Sequence, residues 1–276
     1  MKLIQDVITS RKNPLVMLAS SLSDKKTREE KGLFIAEGIK LFREAVAAEA
    51  PIVYALMSES FAAVGRDEIL SALSAGCFSD TSVAVLSDGC FDKISTEKSP
   101  EGIILVIKHL DISKKIYKID DVDFGSIGRT VILSSIRDPG NLGTILRSAG
   151  AFATSCVILS EDCADLYNPR TVRAAMGAVF RVPTVRVSSL GDTVSALRAA
   201  GRRVLAAELR EHAVSLTEIG LCGTDVFVIG NEGHGIPEEI SSACDESVYI
   251  PIAPQAESLN AAIAASVLLW EQSKGI

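Results

Sequence analysis

Apolar and polar positions along this chain follow two rhythms. Up to about residue 110, helical spacing in PLVMLASSLSD (14–24) and GIKLFREAVAAEA (38–50) is interleaved with short β-type runs. These runs are GLFIAEG (32–38), IVYALMS (52–58) and GIILVIKH (102–109), each bounded by turn formers. The mixture predicts a smaller α/β domain over residues 1–111. From Ile112 to Gly128 the sequence turns polar and acidic, DDVDFGSIG supplies turn residues, and a linker is predicted over 112–128. From Arg129 the rhythm becomes regular. Strands are predicted at TVILSSI, SCVILS, VPTVRV, RVLAAEL, DVFVIG and SVYIPI, with helices after Asn141, near residue 170, over DTVSALRAAG and from Ser258. Strands that are apolar on both faces and alternate with helices predict an α/β domain over 129–276, its parallel sheet covered by helices on both faces.

Composition fits this division. At 276 residues, 47% of them hydrophobic and 23% charged, the chain is long enough for two domains with cores of their own and has the make-up of an ordinary globular protein. No run approaches the ~18 uninterrupted apolar residues of a membrane span. Gln5 and Asp6 break the short apolar stretch at the N-terminus, so a cytoplasmic protein is expected. Cysteines 77, 90, 156, 163, 222 and 244 form no CxxC pair and share no ligand spacing with histidines 109, 212 and 234. No metal is therefore expected, and the thiols are expected to be buried and free.

The net charge of −7 excludes a protein that coats nucleic acid by bulk electrostatics. Residues 1–45 nevertheless hold nine Lys/Arg against six Asp/Glu, a local +3. Such a cluster reads either as a solvated helix face or as a contact for a polyanion.

Candidate chemistry gathers after three of the predicted strands, where ligands of open parallel sheets bind. In RDPGNLGTILRSAG, Asn141 is expected to cap a helix whose Leu142, Ile145, Leu146 and Ala149 form the buried stripe. Arg147 then lies in a lane of small residues between Gly143 and Ala151, and a guanidinium beside a helix start suits an anion such as a phosphate. The alternative is a capped helix with a surface arginine. In GNEGHGIP, three glycines and a proline surround Glu232 and allow a close backbone approach. Its late position and the lack of GxGxxG disfavour a dinucleotide site. His234 is read as solvated. In APQAESLNAA, Ser258 is expected to cap an apolar helix, leaving Asn260 as a polar residue inside it that needs a partner.

Taken together, NLGTILR (Asn141, Gly143, Arg147), IGNEGHGI and IPIAPQAESLNAA resemble the three motifs of the SpoU branch of the SPOUT RNA ribose 2′-O-methyltransferases. YNPRTVRAAMGAVFRVP is similar to the family's stretch between motifs, and residues 13–45 resemble its small substrate-binding domain. Pro254, Ala175 and Glu101 stand where the family often has glycine, serine and glutamine.

The resemblance implies a trefoil knot in the C-terminal α/β domain, S-adenosylmethionine as cofactor, a homodimer, and an RNA partner, with ribosomal RNA favoured over transfer RNA. It implies cofactor contacts at Gly230, Ile250 and Leu259 and a catalytic set of Asn141, Arg147, Glu232, Ser258 and Asn260. Arg11, Lys12, Arg28 and Arg173 are the expected substrate-binding residues. A guanidinium with a pKa above ~12 is a poor proton acceptor, so Arg147 is expected to hold a substrate phosphate and stabilise developing oxyanion charge. Competing readings are an inactive RNA-binding protein of the same fold and a small-molecule enzyme on a Rossmann-type sheet.

Overall fold

The computed structural model describes residues 1–111, 113–116, 127–231 and 233–274. Its elements run in chain order as β1 (Lys2–Leu3), α1 (Pro14–Ser21), α2 (Lys25–Lys31), β2 (Leu33–Glu37), α3 (Ile39–Ala47), β3 (Ile52–Ser58), α4 (Glu59–Ala75), β4 (Ser82–Leu86), α5 (Asp88–Ile94) and β5 (Ile103–Lys108). They continue as β6 (Ser113–Ile116), β7 (Thr130–Leu133), α6 (Pro139–Ala151), β8 (Cys156–Leu159), α7 (Pro169–Ala175), β9 (Thr184–Val187) and α8 (Leu190–Ala199). The remainder is β10 (Val204–Ala207), β11 (Val214–Ser215), β12 (Val226–Ile229), α9 (Glu238–Ala243), β13 (Glu246–Tyr249) and α10 (Ala261–Lys274). The chain forms two compact units, Met1–Asp111 with Asp165–Phe180, and Ile112–Ala164 with Arg181–Ile276.

The first unit is a five-stranded mixed sheet in the order β1-β4-β3-β5-β2, with β5 antiparallel to β2 and β3 and the other pairs parallel. Val16, Ala19 and Leu22 of the α1 segment and Cys90, Phe91 and Ile94 of α5 fill one core against Ile35, Leu56, Ala84, Ile104 and Val106. The α1 start is set by Asn13, whose side chain accepts from Leu15 N, with Pro14 in the first turn where a missing N–H costs nothing. Glu101 supplies the cap that Gly38 lacks, accepting from Ile39 N at 2.7 Å at the head of α3.

Residues 165–180 belong to this unit even though the strand–helix rhythm assigns everything after 129 to one domain. Tyr167 stacks between Phe34 and His109, with ring centroids 4.4 and 4.3 Å away, and its hydroxyl accepts from Leu110 N at 2.9 Å. Buried Thr171, Val172 and Ala175 turn α7 against β2. Arg28 completes the joint. Only 2% exposed, it donates to Asp165 and to the carbonyls of Leu22 and Ser23. An arginine held in this way is not available to a phosphate, which corrects its assignment to substrate binding.

The second unit is an eight-stranded sheet in the order β11-β13-β10-β12-β7-β8-β9-β6, every pair parallel. The expected linker over 112–128 thus contains a strand, β6, paired with β9, and its residues 112 and 117–126 lie outside the described residues. Ile132, Ile158, Val204, Ala206, Val226 and Val228 pack on one face with Val194 and Leu197 of α8 and Ile240 of α9. Their neighbours in sequence, Val131, Leu133, Val157, Leu205 and Phe227, are buried as well, and α10 lies along α6 and against β12. Both faces are covered, which explains the continuous apolar runs. The thiols depart from expectation: Cys77 and Cys222 are exposed, Cys244 is half-buried, and Cys90, Cys156 and Cys163 are buried.

Removing one partner of a buried ion pair strands the other. Arg28→Ala should lower stability by about 3 kcal/mol in urea denaturation of the full chain. A loss below about 1 kcal/mol, the worth of an exposed pair, would contradict the buried joint.

Candidate active site

Because the sheet is parallel, the turns after β7, β12 and β13 open on one edge, and side chains tie them together. After β7 the chain passes Ser134 and Ser135 and enters α6. The helix is capped by Asp138, which accepts from Asn141 N at 2.9 Å, and Pro139 occupies its first turn. Asn141 is therefore not the cap but lies inside the first turn, where its side chain is turned outward to a partner. The expected stripe of Leu142, Ile145, Leu146 and Ala149 is buried, and Arg147 is exposed and forms no hydrogen bond or ion pair with a described residue.

The turn after β12 is built on a close backbone approach. A Cβ on Gly230 would stand 2.4 Å from the carbonyl carbon of Gly235 and 2.7 Å from Ile236 N, so only glycine fits. Asn231 and Gly235 pair through both of their backbone groups, and Gly235 itself has φ +66°. Asn231 Nδ2 donates to Ser135 O at 3.0 Å, joining this turn to the one after β7, while Ser134 N donates to Ile229 O. His234 is exposed, and Glu232 lies outside the described residues.

The third turn runs from Ile250 to Asn260. Ile250 and Leu259 are half-buried, and Pro254 and Ser258 are exposed. The helix begins at Ala261, not at Ser258. Asn260 Oδ1 accepts from Ala262 N (3.0 Å) and Ile263 N (3.3 Å), so Asn260 is the residue that caps α10 rather than a polar group inside it. Its Nδ2 donates to Asn141 Oδ1 at 3.0 Å, the partner its sequence position required. Farther along the same two helices, the Ser148 and Ser266 hydroxyls meet at 2.7 Å.

Beside these turns Asp162, which follows β8, accepts from Ser135 Oγ (2.7 Å), Ser160 Oγ (2.7 Å) and Arg137 Nη2 (3.1 Å). Desolvation pushes its carboxyl up, but the hydrogen bonds from Ser160, Ser135 and Arg137 outweigh it and hold the pKa at about 2. Sequence reasoning missed Ser135, Asp138, Asn231 and Asp162. Asp138 had a signal in the DP pair at the helix start, whereas the others act through contacts distant in sequence. In the first unit, Arg11 and Lys12 are exposed, with Arg11 Nε donating to Gly89 O, and exposed Arg173 is ion-paired to Glu97 at 2.5 Å. Ala175 is fully buried. No group of side chains suited to a metal occurs among the described residues.

Comparison with known proteins supplies the class. Residues 128–270 match the SpoU rRNA Methylase family and residues 13–105 the MRM3-like substrate binding domain. The chain belongs to the SpoU rRNA methylase family. It is 30% identical to the 23S rRNA (guanosine(2553)-2'-O)-methyltransferase RlmP of Bacillus subtilis over 95% of this chain and 97% of that protein. An AdoMet-bound rRNA methyltransferase from Sinorhizobium meliloti is similar, with TM-score 0.82 and 30% identity over 98% of this chain and 97% of that one. So is the SpoU methyltransferase AviRb of Streptomyces viridochromogenes in complex with AdoMet, with TM-score 0.77 and 26% identity over 95% and 98% of the two chains.

Gly230→Ala should force the 230–236 backbone apart. Amide exchange at Gly235, whose N–H donates to Asn231 O at 2.8 Å, is expected to rise at least about 10-fold. Unchanged exchange would show that the turn absorbs the methyl group.

Proposed function

We propose that this protein transfers a methyl group from S-adenosylmethionine to a ribose 2′-hydroxyl of RNA, with ribosomal RNA as the substrate. The observation that carries this reading is the hydrogen-bonded union of the three motif-bearing turns, Asn231 to Ser135 and Asn260 to Asn141, on one edge of a parallel sheet. The name of the B. subtilis relative as a 23S rRNA 2′-O-methyltransferase supports the reaction and the substrate class.

S-adenosylmethionine supplies a methyl group activated on a sulfonium, from which a neutral thioether departs readily, so the protein's task is alignment and charge control. The turns fit such a cofactor. Gly230 lets its turn fold back closely on the Gly235 and Ile236 backbone, and half-buried Ile250 and Leu259 offer apolar surface on the third turn. Asn141 and Asn260, locked to each other, fix the start of α6 against the start of α10. Arg147, farther along α6, holds a substrate phosphate and stabilises charge developing on the 2′-oxygen, whose proton leaves to phosphate or water. Glu232 completes the catalytic set as its acidic member, and Ser258 keeps the ribose in register.

The remaining assignments follow the family. The C-terminal segment is threaded as a trefoil knot, the protein works in the cytoplasm as a homodimer, and half-exposed Ile263 and Trp270 on α10 offer apolar surface for a second copy. Arg11, Lys12 and Arg173 contact the RNA. No observation favours the inactive-protein reading.

Arg147→Ala should lower methyl transfer about 100-fold or more while S-adenosylmethionine affinity stays within a few-fold. The assay is incorporation of labelled methyl into ribosomal RNA from cells lacking the gene, with the modified ribose mapped. Near-normal turnover in the variant overturns the role of Arg147, and failure of the unaltered protein to label any RNA overturns the function.

A further inference from the structure

Ser135 adopts φ +58°, a left-handed backbone uncommon for any residue other than glycine. It stands just past the end of β7 and just before the Asp138 cap of α6. Something must hold it there. Its N–H donates to Ser160 Oγ (2.8 Å), its Oγ donates to Asp162 Oδ2 (2.7 Å), and its carbonyl accepts from Asn231 Nδ2 (3.0 Å). Ser160 in turn donates to Asp162 Oδ1, so both hydroxyls end on the two oxygens of one carboxylate, and Arg137 closes the ring from the α6 side.

We infer that Asp162 is a positioning residue for methyl transfer: its carboxylate clamps Ser135 in the left-handed conformation and thereby fixes the turns that carry Asn141 and Asn231. This rests on the function proposed above. The route runs through hydrogen bonds on both sides of Ser135. With Ser135 in place, its carbonyl faces Asn231, whose Oδ1 accepts from Gly233 N and whose backbone pairs with Gly235. On the other side, the chain leaves Ser135 for Arg137, held by the same carboxylate, and then for the Asp138 cap of the helix bearing Asn141 and Arg147. Asp162 is half-exposed and needs no contact with RNA or cofactor to act. With its pKa held at about 2, the carboxylate is ionised throughout the neutral range. A depressed acid contributes above its ordinary pKa and loses that contribution only as pH falls toward the depressed value, so the clamp is permanent rather than a pH switch.

The chemistry dictates a rescue test. Glycine adopts positive φ without help, so Ser135→Gly should remove the need for the clamp. Asp162→Ala should lower kcat roughly 10-fold to 100-fold while the KM for RNA stays within about 2-fold, as expected of turns misplaced by a fraction of an ångström. Asp162→Asn, which keeps one acceptor oxygen, should fall between, and it serves if the alanine variant does not fold. Introduced into the Ser135→Gly protein, Asp162→Ala should cost no more than about 3-fold in kcat relative to Ser135→Gly itself, against its full loss in the unaltered background. Amide exchange at Gly235 reads the same clamp without turnover: faster in Asp162→Ala and restored in the double variant. An Asp162→Ala loss as large in the Ser135→Gly background as in the unaltered one, or Asp162→Ala with unchanged kcat and exchange, overturns the proposal. If no RNA is methylated by any form, the exchange result still decides the clamp, and the methyltransferase reading alone fails.

Discussion

Every hydrogen-bonded pair in the eight-stranded sheet is parallel, and this one constraint shapes the rest of the second unit. In a parallel sheet each strand must return by a crossover, so all strand-to-helix turns of one sense open on the same edge. The turns after β7, β12 and β13 start at Ser134, Gly230 and Ile250, far apart in sequence, yet side chains join them. Asn231 reaches Ser135, and Asn260 reaches Asn141. Strands of alternating direction would send these turns to opposite edges and separate the partners.

The two bonds differ in what they stabilise. Asn260 closes the first turn of α10 through two backbone amides and also bridges to α6 through its amide nitrogen. A residue so placed cannot be replaced by an apolar one without losing both the cap and the bridge. Asn231 instead links a turn that Gly230 allows to fold back on itself to a serine held at positive φ. Local backbone conformations that are unfavourable by themselves are thus kept by a network of partners, which is common where a turn must present backbone to a ligand.

Much of the second unit was legible because its strands are buried on both faces: TVIL, CVIL and VFVI carry apolar residues without alternation, as a covered parallel sheet requires. The helix boundaries were less legible. DPGN and SLN each contain two residues able to cap, and in each the cap is the other one: Asp138 rather than Asn141, and Asn260 rather than Ser258. α4 left no clear pattern because only Ile69 and Leu73 of its 17 residues are buried, too few to write a stripe. The attachment of residues 165–180 to the first unit was invisible for another reason. It depends on Arg28 meeting Asp165 and on Tyr167 lying between Phe34 and His109, contacts that no local pattern encodes. The same applies to Asp162, whose importance comes from a serine 27 residues away.

If three turns distant in sequence form a single binding site, a ligand seated among them slows their opening together. Hydrogen exchange measured on the full chain with and without S-adenosylmethionine reads this without any need for the RNA substrate. Protection is predicted at residues 134–141, 230–236 and 250–260 in the same titration, with one apparent affinity. Protection confined to a single turn, or different affinities for different turns, would contradict a shared site.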